Sequence, residues 1–162
     1  MSFTPREFRN ALGLFPTGVA VVTAVNAEGL KVGITVNSFT SVSLDPPLVS
    51  VNLSKNIASY NDLVNAEHFT INVLKKSQRQ LSTQFAQAYS NKWENVAFYL
   101  NEYQAPVLEC ALATFECRHY SKFDAGDHAI LVGQVLNFDV ENEEMPLLFY
   151  KGGYHELPAT NP

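Results

Sequence analysis

The stretch Gly33-Ile-Thr-Val-Asn-Ser-Phe-Thr-Ser-Val-Ser-Leu-Asp-Pro-Pro-Leu-Val-Ser-Val-Asn-Leu-Ser54 crowds Ser, Thr and Asn side chains into an otherwise apolar strand pattern. Side chains alternate across a strand, so Thr35 and Asn37 share one face while Ile34 and Val36 share the other. Ser41 and Ser43 alternate with Val42 and Leu44 in the same way. The alternation breaks at Ser38-Phe39-Thr40, which predicts a bulge or irregular turn where backbone N–H groups and small hydroxyls can face one ligand. Asp45-Pro46-Pro47 ends the strand, because neither proline can donate to a ladder.

Upstream, Thr4-Pro5 with Glu7 opens a short helix in which Phe8, Leu12 and Phe15 recur at helical spacing, and Pro16-Thr17-Gly18 ends it. Val19 to Val25 is a run dominated by β-branched residues, the pattern of a strand buried on both faces. Asn26-Ala-Glu-Gly29 then turns the chain into a partner strand, Leu30 to Val36. Downstream, Leu48 to Leu53 alternates, with Val49, Val51 and Leu53 on one side. Ser54 has the chemistry of an N-cap for a helix from Lys55 to Asn65. The positive end of such a helix suits a phosphate, with Lys55 and Ser59 in reach of its first turn, although an ordinary capped helix accounts for the same residues.

The remainder predicts a strand over Glu67 to Leu74, a helix over Ser77 to Tyr89 with Leu81, Phe85 and Ala88 on one face, and a long loop or partly helical excursion over Asn91 to Ala105. The longest strand candidates, Val107 to Tyr120 and Ala129 to Val140, are joined by Ser121 to His128. Leu147 to Tyr150 is a last short strand. Many hairpin-spaced strands with two or three inserted helices predict a mainly β or α+β barrel rather than a parallel βαβ sheet.

A chain of 162 residues has the size of one ordinary domain, 1–162. Eleven basic residues against 16 acidic ones, without a polybasic run, speak against a nucleic-acid groove or an electrostatic membrane anchor. The charged N-terminal segment and the lack of a long apolar run predict a cytoplasmic protein with no membrane span. Cys110 and Cys117 fall in one strand-like run. Seven residues at about 3.3 Å each would hold them roughly 23 Å apart on opposite faces, so they read as buried reduced thiols rather than a disulfide.

No G-x-G-x-x-G follows a strand and no P-loop occurs, so any dinucleotide is bound by other means. His68, His119, His128 and His155 lack metal-ligand spacing, which predicts no metal site, and no G-x-S-x-G elbow supports serine hydrolysis. Gly126-Asp127-His128 reads by itself as a turn re-entering a strand.

The segment from Thr35 to Leu48 resembles the T-x-N-S-F-x-S-V-S-x-D-P-P-L motif of the short-chain flavin reductase family. Phe15-Pro-Thr-Gly-Val-Ala-Val-Val-Thr23, Gly126-Asp127-His128, Pro146-Leu-Leu-Phe-Tyr150 and Gly153-Tyr154 extend the likeness over nearly the whole chain. Pro16 departs from the expected alanine, ahead of the strand. The resemblance implies an FMN-binding split β-barrel and an NAD(P)H:flavin oxidoreductase. Such an enzyme passes hydride from NADH or NADPH to FMN or FAD and supplies reduced flavin to a partner monooxygenase. A ribityl chain wants neutral hydroxyl and amide partners and a phosphate wants hydroxyls and N–H donors, a demand that this segment meets. Thr35, Asn37, Ser38, Ser41, Val42, Ser43, Ser54, Lys55 and Ser59 are therefore the expected flavin contacts. The family likeness makes His128 a contact for the nicotinamide, and Tyr154 either covers the same cleft or packs. No protein group is expected to act as a catalytic acid or base, since hydride chemistry belongs to the cofactors. Nineteen aromatic residues beside long apolar strands, together with the resemblance, predict a homodimer, with Phe85 a candidate contribution across its interface. Two rivals are a tight flavin-binding electron carrier and a pyridoxamine-phosphate-oxidase-like enzyme, the latter wanting more basic phosphate ligands than this segment offers.

Overall fold

Apolar residues on both faces of one strand require something to pack on each side, and the computed structural model, which describes residues 2–88, 91–141 and 144–157, shows what does. Chain order runs α1 (Pro5–Leu12), β1 (Thr17–Gly18), β2 (Ala20–Val25), β3 (Lys31–Val36), β4 (Thr40–Leu44), β5 (Pro47–Ser54), α2 (Tyr60–Asn65) and β6 (His68–Val73). A 3-10 turn at Lys76–Gln78 leads into α3 (Arg79–Ala86). β7 (Phe98–Leu100), β8 (Pro106–Leu108), β9 (Ala113–Ala125), β10 (His128–Val140), β11 (Leu148–Tyr150) and β12 (Gly153–His155) follow.

The main sheet is antiparallel throughout, in the order β3-β2-β6-β9-β10-β5-β4. Its two ends are stapled: the Ser38 hydroxyl accepts from Asn52 N at 2.9 Å and donates to Asn52 O at 3.2 Å, so the chain leaving β3 is held on β5. The curled sheet encloses one core. Ala20, Val22 and Ala24 of β2 point into it, with Ile34 and Val36 of β3, Val49, Val51 and Leu53 of β5, and Phe69 and Ile71 of β6. Leu63 and Val64 of α2 close this core from one end. Val21 on the opposite face of β2, with Val19 just before the strand, enters a second cluster with Leu74, Phe85, Leu108 and Leu147, under α3 and the 91–108 excursion. Each buried Val, Leu, Ile or Phe among them contributes about 1.5–3 kcal/mol by leaving water. The mainly β architecture is what the hairpin-spaced strand pattern predicts, and the split-barrel type is what the family resemblance implies.

Two polar devices fix the outer layer. Asn72 donates to Val21 O at 3.0 Å and to Thr23 Oγ1 at 3.1 Å, while its Oδ1 accepts from Leu108 N at 2.8 Å, pinning β8 onto the sheet. Gly33 lets α3 approach β3: a Cβ at that position would lie 2.6 Å from the Phe85 ring.

Several local expectations are corrected. The helix expected from Lys55 starts at Tyr60 instead, because the Ser54 hydroxyl accepts from Asn56 N at 3.3 Å in a local turn and Ile57 turns against the core. Asn91 to Ala105 is not a plain loop, since β7 and β8 pair within it and just beyond. β9 begins at Ala113 and continues to Ala125, so only Gly126-Asp127 turns between the two long strands. The thiol of Cys117 is buried and pushed up to about 12 by desolvation, whereas Cys110 is exposed; both are free. Helix α3 ends at Ala86, leaving Ala88 exposed, and Tyr89 lies outside the described residues.

Candidate functional site

Strand β3 is an edge of the sheet, and three clefts follow it in sequence. The first, about 410 Å³, is lined by Lys31, Gly33, Ser59, Lys92 and Trp93 among others, and among the described residues no Asp or Glu lines it. Lys92 enters from the excursion after α3, its ammonium donating to Phe85 O at 2.8 Å and Gly33 O at 3.1 Å. Burial pushes its pKa below the usual 10.5. Among the described residues, Ser59 Oγ and Trp93 Nε1 are buried here with no hydrogen-bond partner. Two orphaned groups able to donate, beside a half-buried ammonium, make a site that an anion would complete.

The second cleft, about 440 Å³, shares Ile34 and Ile57 with the first and is lined by Thr35, Asn37, Ser38, Asn52, Ser54 and His128 around Leu12 and Leu53. Among the described residues it too has no carboxylate in its lining. The register of β10 on β5 sets His128 opposite Ser54, and Lys55 N donates to Asp127 O at 2.9 Å. Asp127 Oδ1 lies 2.8 Å from His128 Nδ1, which holds the Asp127 carboxyl below the ordinary carboxylate range and fixes the ring. The third cleft, about 610 Å³, shares Leu12 and Asn37 with the second and lies between α1, β1 and the turn joining β11 to β12. From Lys31 to Asn37 the strand spans roughly 20 Å, the scale of an extended mononucleotide.

The structure thus brings together Thr35, Asn37, Ser38, Ser54 and His128, with Ser59 one cleft away. Thr35 is partly engaged already, its hydroxyl donating to Ser82 O at 2.6 Å. Ser41, Val42 and Ser43 lie on β4, where a register shift marks a bulge, and are not among the residues lining the three clefts. Lys55 also lines none of them and pairs with Asp124 at 3.4 Å. Phe85 is fully buried inside its own protomer beneath Gly33, so its ring has no surface to offer a second copy. Tyr154 packs: its hydroxyl is 2.7 Å from Ser82 Oγ, and its ring is T-shaped against Phe149 and beneath Arg79.

Asn52, Lys92 and Trp93 were not foreseen. Asn52 sits on the polar side of β5, so its alternation was a usable signal; Lys92 and Trp93 reach β3 only through the tertiary fold. Neutral hydroxyls and amides along β3, ending at donors without a counter-charge, fit a flavin's ribityl chain and phosphate.

The family model of the flavin reductase like domain matches residues 12–158. The chain belongs to the flavin reductase-like domain family. A relative within it, the reductase component of the flavin-dependent trigonelline monooxygenase of Acinetobacter baylyi, is 42% identical, covering 92% of this chain and 48% of that one. The FMN reductase (NADH) SmoA of Agrobacterium fabrum is 44% identical, covering 92% of this chain and 84% of SmoA. The solved NADH:FAD oxidoreductase SgcE6 of Streptomyces globisporus, in complex with NAD and FAD fragments, superposes with a TM-score of 0.90 at 31% identity, covering 98% of this chain and 97% of that one. The chain spans about half the length of the trigonelline reductase component and of a probable flavin reductase of Rhizobium meliloti. Every cleft residue named above from Leu12 onward lies inside the matched flavin reductase-like region.

Proposed function

We propose that this chain is an NAD(P)H:flavin oxidoreductase that delivers reduced FMN or FAD to a partner monooxygenase. The observation that carries this reading is the run of clefts along β3. A donor-rich cleft at Lys92 and Ser59 adjoins a neutral polar cleft with His128 at its rim, and among the described residues no carboxylate lines either one in a chain with more acidic than basic residues. The names of the trigonelline monooxygenase reductase component, SmoA and SgcE6 support the reaction class.

Bound flavin supplies the hydride acceptor for a reduced nicotinamide. The chain's own residues bind and align. Lys92, Ser59 and Trp93 hold the phosphate end, while Asn37, Ser38, Asn52 and Ser54 offer amide and hydroxyl partners to the polar chain and ring edge. His128, its Nδ1 fixed by Asp127, keeps its other ring nitrogen for the nicotinamide side. Ser41, Val42, Ser43, Lys55 and Tyr154 have no place in these clefts within one protomer. Val42 and Leu44 on β4 and Phe123 and Phe138 on the long hairpin are exposed apolar side chains that a second copy would cover, which supports a homodimer. Among the described residues no helix is long and apolar enough to cross a membrane. Steady-state oxidation of NADH and of NADPH, each with no flavin, FMN or FAD, tests the reading. Rates that rise with added flavin support it, and rates unmoved by either flavin overturn it.

A further inference from the structure

A fourth cleft, about 410 Å³, lies at the far end of β10 and shares no lining residue with the three along β3. His128 opens β10 and Asp139 stands near its other end, roughly 36 Å along the strand at about 3.3 Å per residue. Its charge is the reverse of theirs. Among the described residues Glu109, Asp139 and Glu141 line it and no Lys, Arg or His does. Lys75, outside the lining, pairs with Glu141 at 3.3 Å and is shared with Glu144, whereas Glu109 and Asp139 form no ion pair among the described residues.

Strand register explains the grouping. Asp139 pairs with Thr114 and Asn137 with Glu116, so these four side chains share one face of the long β9–β10 hairpin. Glu116 is held there by neutral amides alone, accepting from Asn101 Nδ2 at 2.8 Å and Asn137 Nδ2 at 3.2 Å, which leaves its charge in place. Tyr99 of β7 lines the cleft, and its hydroxyl pKa lies above the usual 10, raised by burial first and then by Glu116, Asp139 and Glu109.

Thr114, 6% exposed, belongs to the same lining, and among the described residues its Oγ1 is buried with no hydrogen-bond partner. An N–H entering the cleft would satisfy that oxygen and meet the Asp139 carboxylate across the ladder. Tyr99, Val107, Leu108 and Val140 give apolar walls, and among the described residues no His, Cys, Asp and Glu side chains form a group that could hold a metal ion. Both facts select a carbon-bearing cation over a bare one, and the volume is that of a small-molecule pocket.

We propose that this cleft binds a small organic cation, a primary ammonium or guanidinium on a short apolar body, with Asp139 and Glu109 as counter-charges and the Thr114 hydroxyl as acceptor. The Tyr99 ring flanks the apolar part. The site is separate from the reductase reading, since it takes the opposite charge from a flavin phosphate and uses none of the same residues.

The test titrates the ¹⁵N-labelled protein with n-butylammonium, n-butylguanidinium and uncharged n-butanol, following the amide resonances of Thr114, Asp139 and Val140. At least one cation is expected to saturate these shifts with a dissociation constant roughly tenfold or more below that of n-butanol, rising with salt. Asp139→Asn should raise that constant about fivefold or more. Thr114→Val removes only the unpartnered hydroxyl, so it should raise the constant several-fold while the apo protein melts at the same temperature or higher. FMN affinity stays within twofold in both variants. No saturable shift with either cation, equal constants for the cations and n-butanol, or a cation constant within twofold of wild type in both variants overturns the proposal. N-acetyl-lysine methylamide stands in for a cationic side chain of a protein partner. Binding of that probe roughly tenfold tighter than n-butylammonium would overturn the small-molecule assignment, and equal or weaker binding supports it.

Discussion

Replacing Lys92 by methionine keeps the length of the side chain and removes only the ammonium that donates to Phe85 O and Gly33 O beside the first cleft. A charge-assisted hydrogen bond to a phosphate contributes about 1.5–3 kcal/mol, so FMN affinity should fall by roughly 10- to 150-fold at 1.4 kcal/mol per decade. Part of any loss would come from the fold, because Lys92→Met leaves two carbonyls without their donor and costs about 1–3 kcal/mol of stability. Riboflavin separates the two, since it carries the same ring and ribityl chain without the phosphate. Quenching of flavin fluorescence, titrated with FMN and with riboflavin, should show the full loss for FMN and less than threefold for riboflavin. The pH dependence has a fixed sign: burial lowers the folded-state pKa of Lys92, so the FMN preference over riboflavin declines on raising the pH through a value below 10.5. Stability changes the other way, rising with pH between that lowered value and the unfolded one, where the unfolded chain binds more protons. Equal losses for FMN and riboflavin, or none, would refute the assignment of the phosphate to this cleft.

Ser59→Ala removes a buried hydroxyl that has no partner, so the apo protein should melt at the same temperature or higher while FMN affinity falls several-fold, read by thermal denaturation and fluorescence titration. His128→Ala should raise the NADH KM or lower kcat by roughly tenfold, a contribution of about 1.4 kcal/mol, and leave the FMN dissociation constant unchanged; loss of FMN binding in a folded variant would place His128 on the flavin instead. Asp127 carries a carboxyl pKa lowered by His128, so its contribution to stability is present above the ordinary carboxylate range and lost as pH falls through the folded value; urea melts of Asp127→Asn should lack that acid limb. Gly33→Ala places a methyl 2.6 Å from the Phe85 ring and should cost about 1–3 kcal/mol in urea melts.

Much of the barrel was legible because its signals are local. Val19 to Val25 reads as doubly buried, and β2 does lie between the two clusters. The Asn26 turn closes on its own side chain, whose Oδ1 accepts from Leu30 N at 2.8 Å and Glu28 N at 3.0 Å. What stayed hidden depends on partners far away in sequence. β7 and β8 are three residues each, too short for alternation to show, and are secured by Asn72, by Thr23 donating to Pro106 O, and by Asn101 donating to Glu116 Oε2 at 2.8 Å. The helix at Ser54 was misplaced because Ser competes for its own backbone as readily in a turn as at a cap. Within the site, the polar face of Thr35 to Ser38 was visible as interrupted alternation. Lys92 carries no periodic signal, and its meaning arises only when α3 docks on Gly33. Phe85 as a contact to a second copy followed from helical spacing alone, which shows that a face is apolar but not which surface covers it.

The central claim is that flavin is reduced here and released, and anaerobic mixing of the protein with excess NADH and a tenfold molar excess of FMN or FAD tests it most directly. Loss of the flavin's visible absorbance, followed with time, should account for all of the added flavin, many equivalents per protein chain. Bleaching that stops at one equivalent per chain, or that does not exceed the rate without protein, would contradict it.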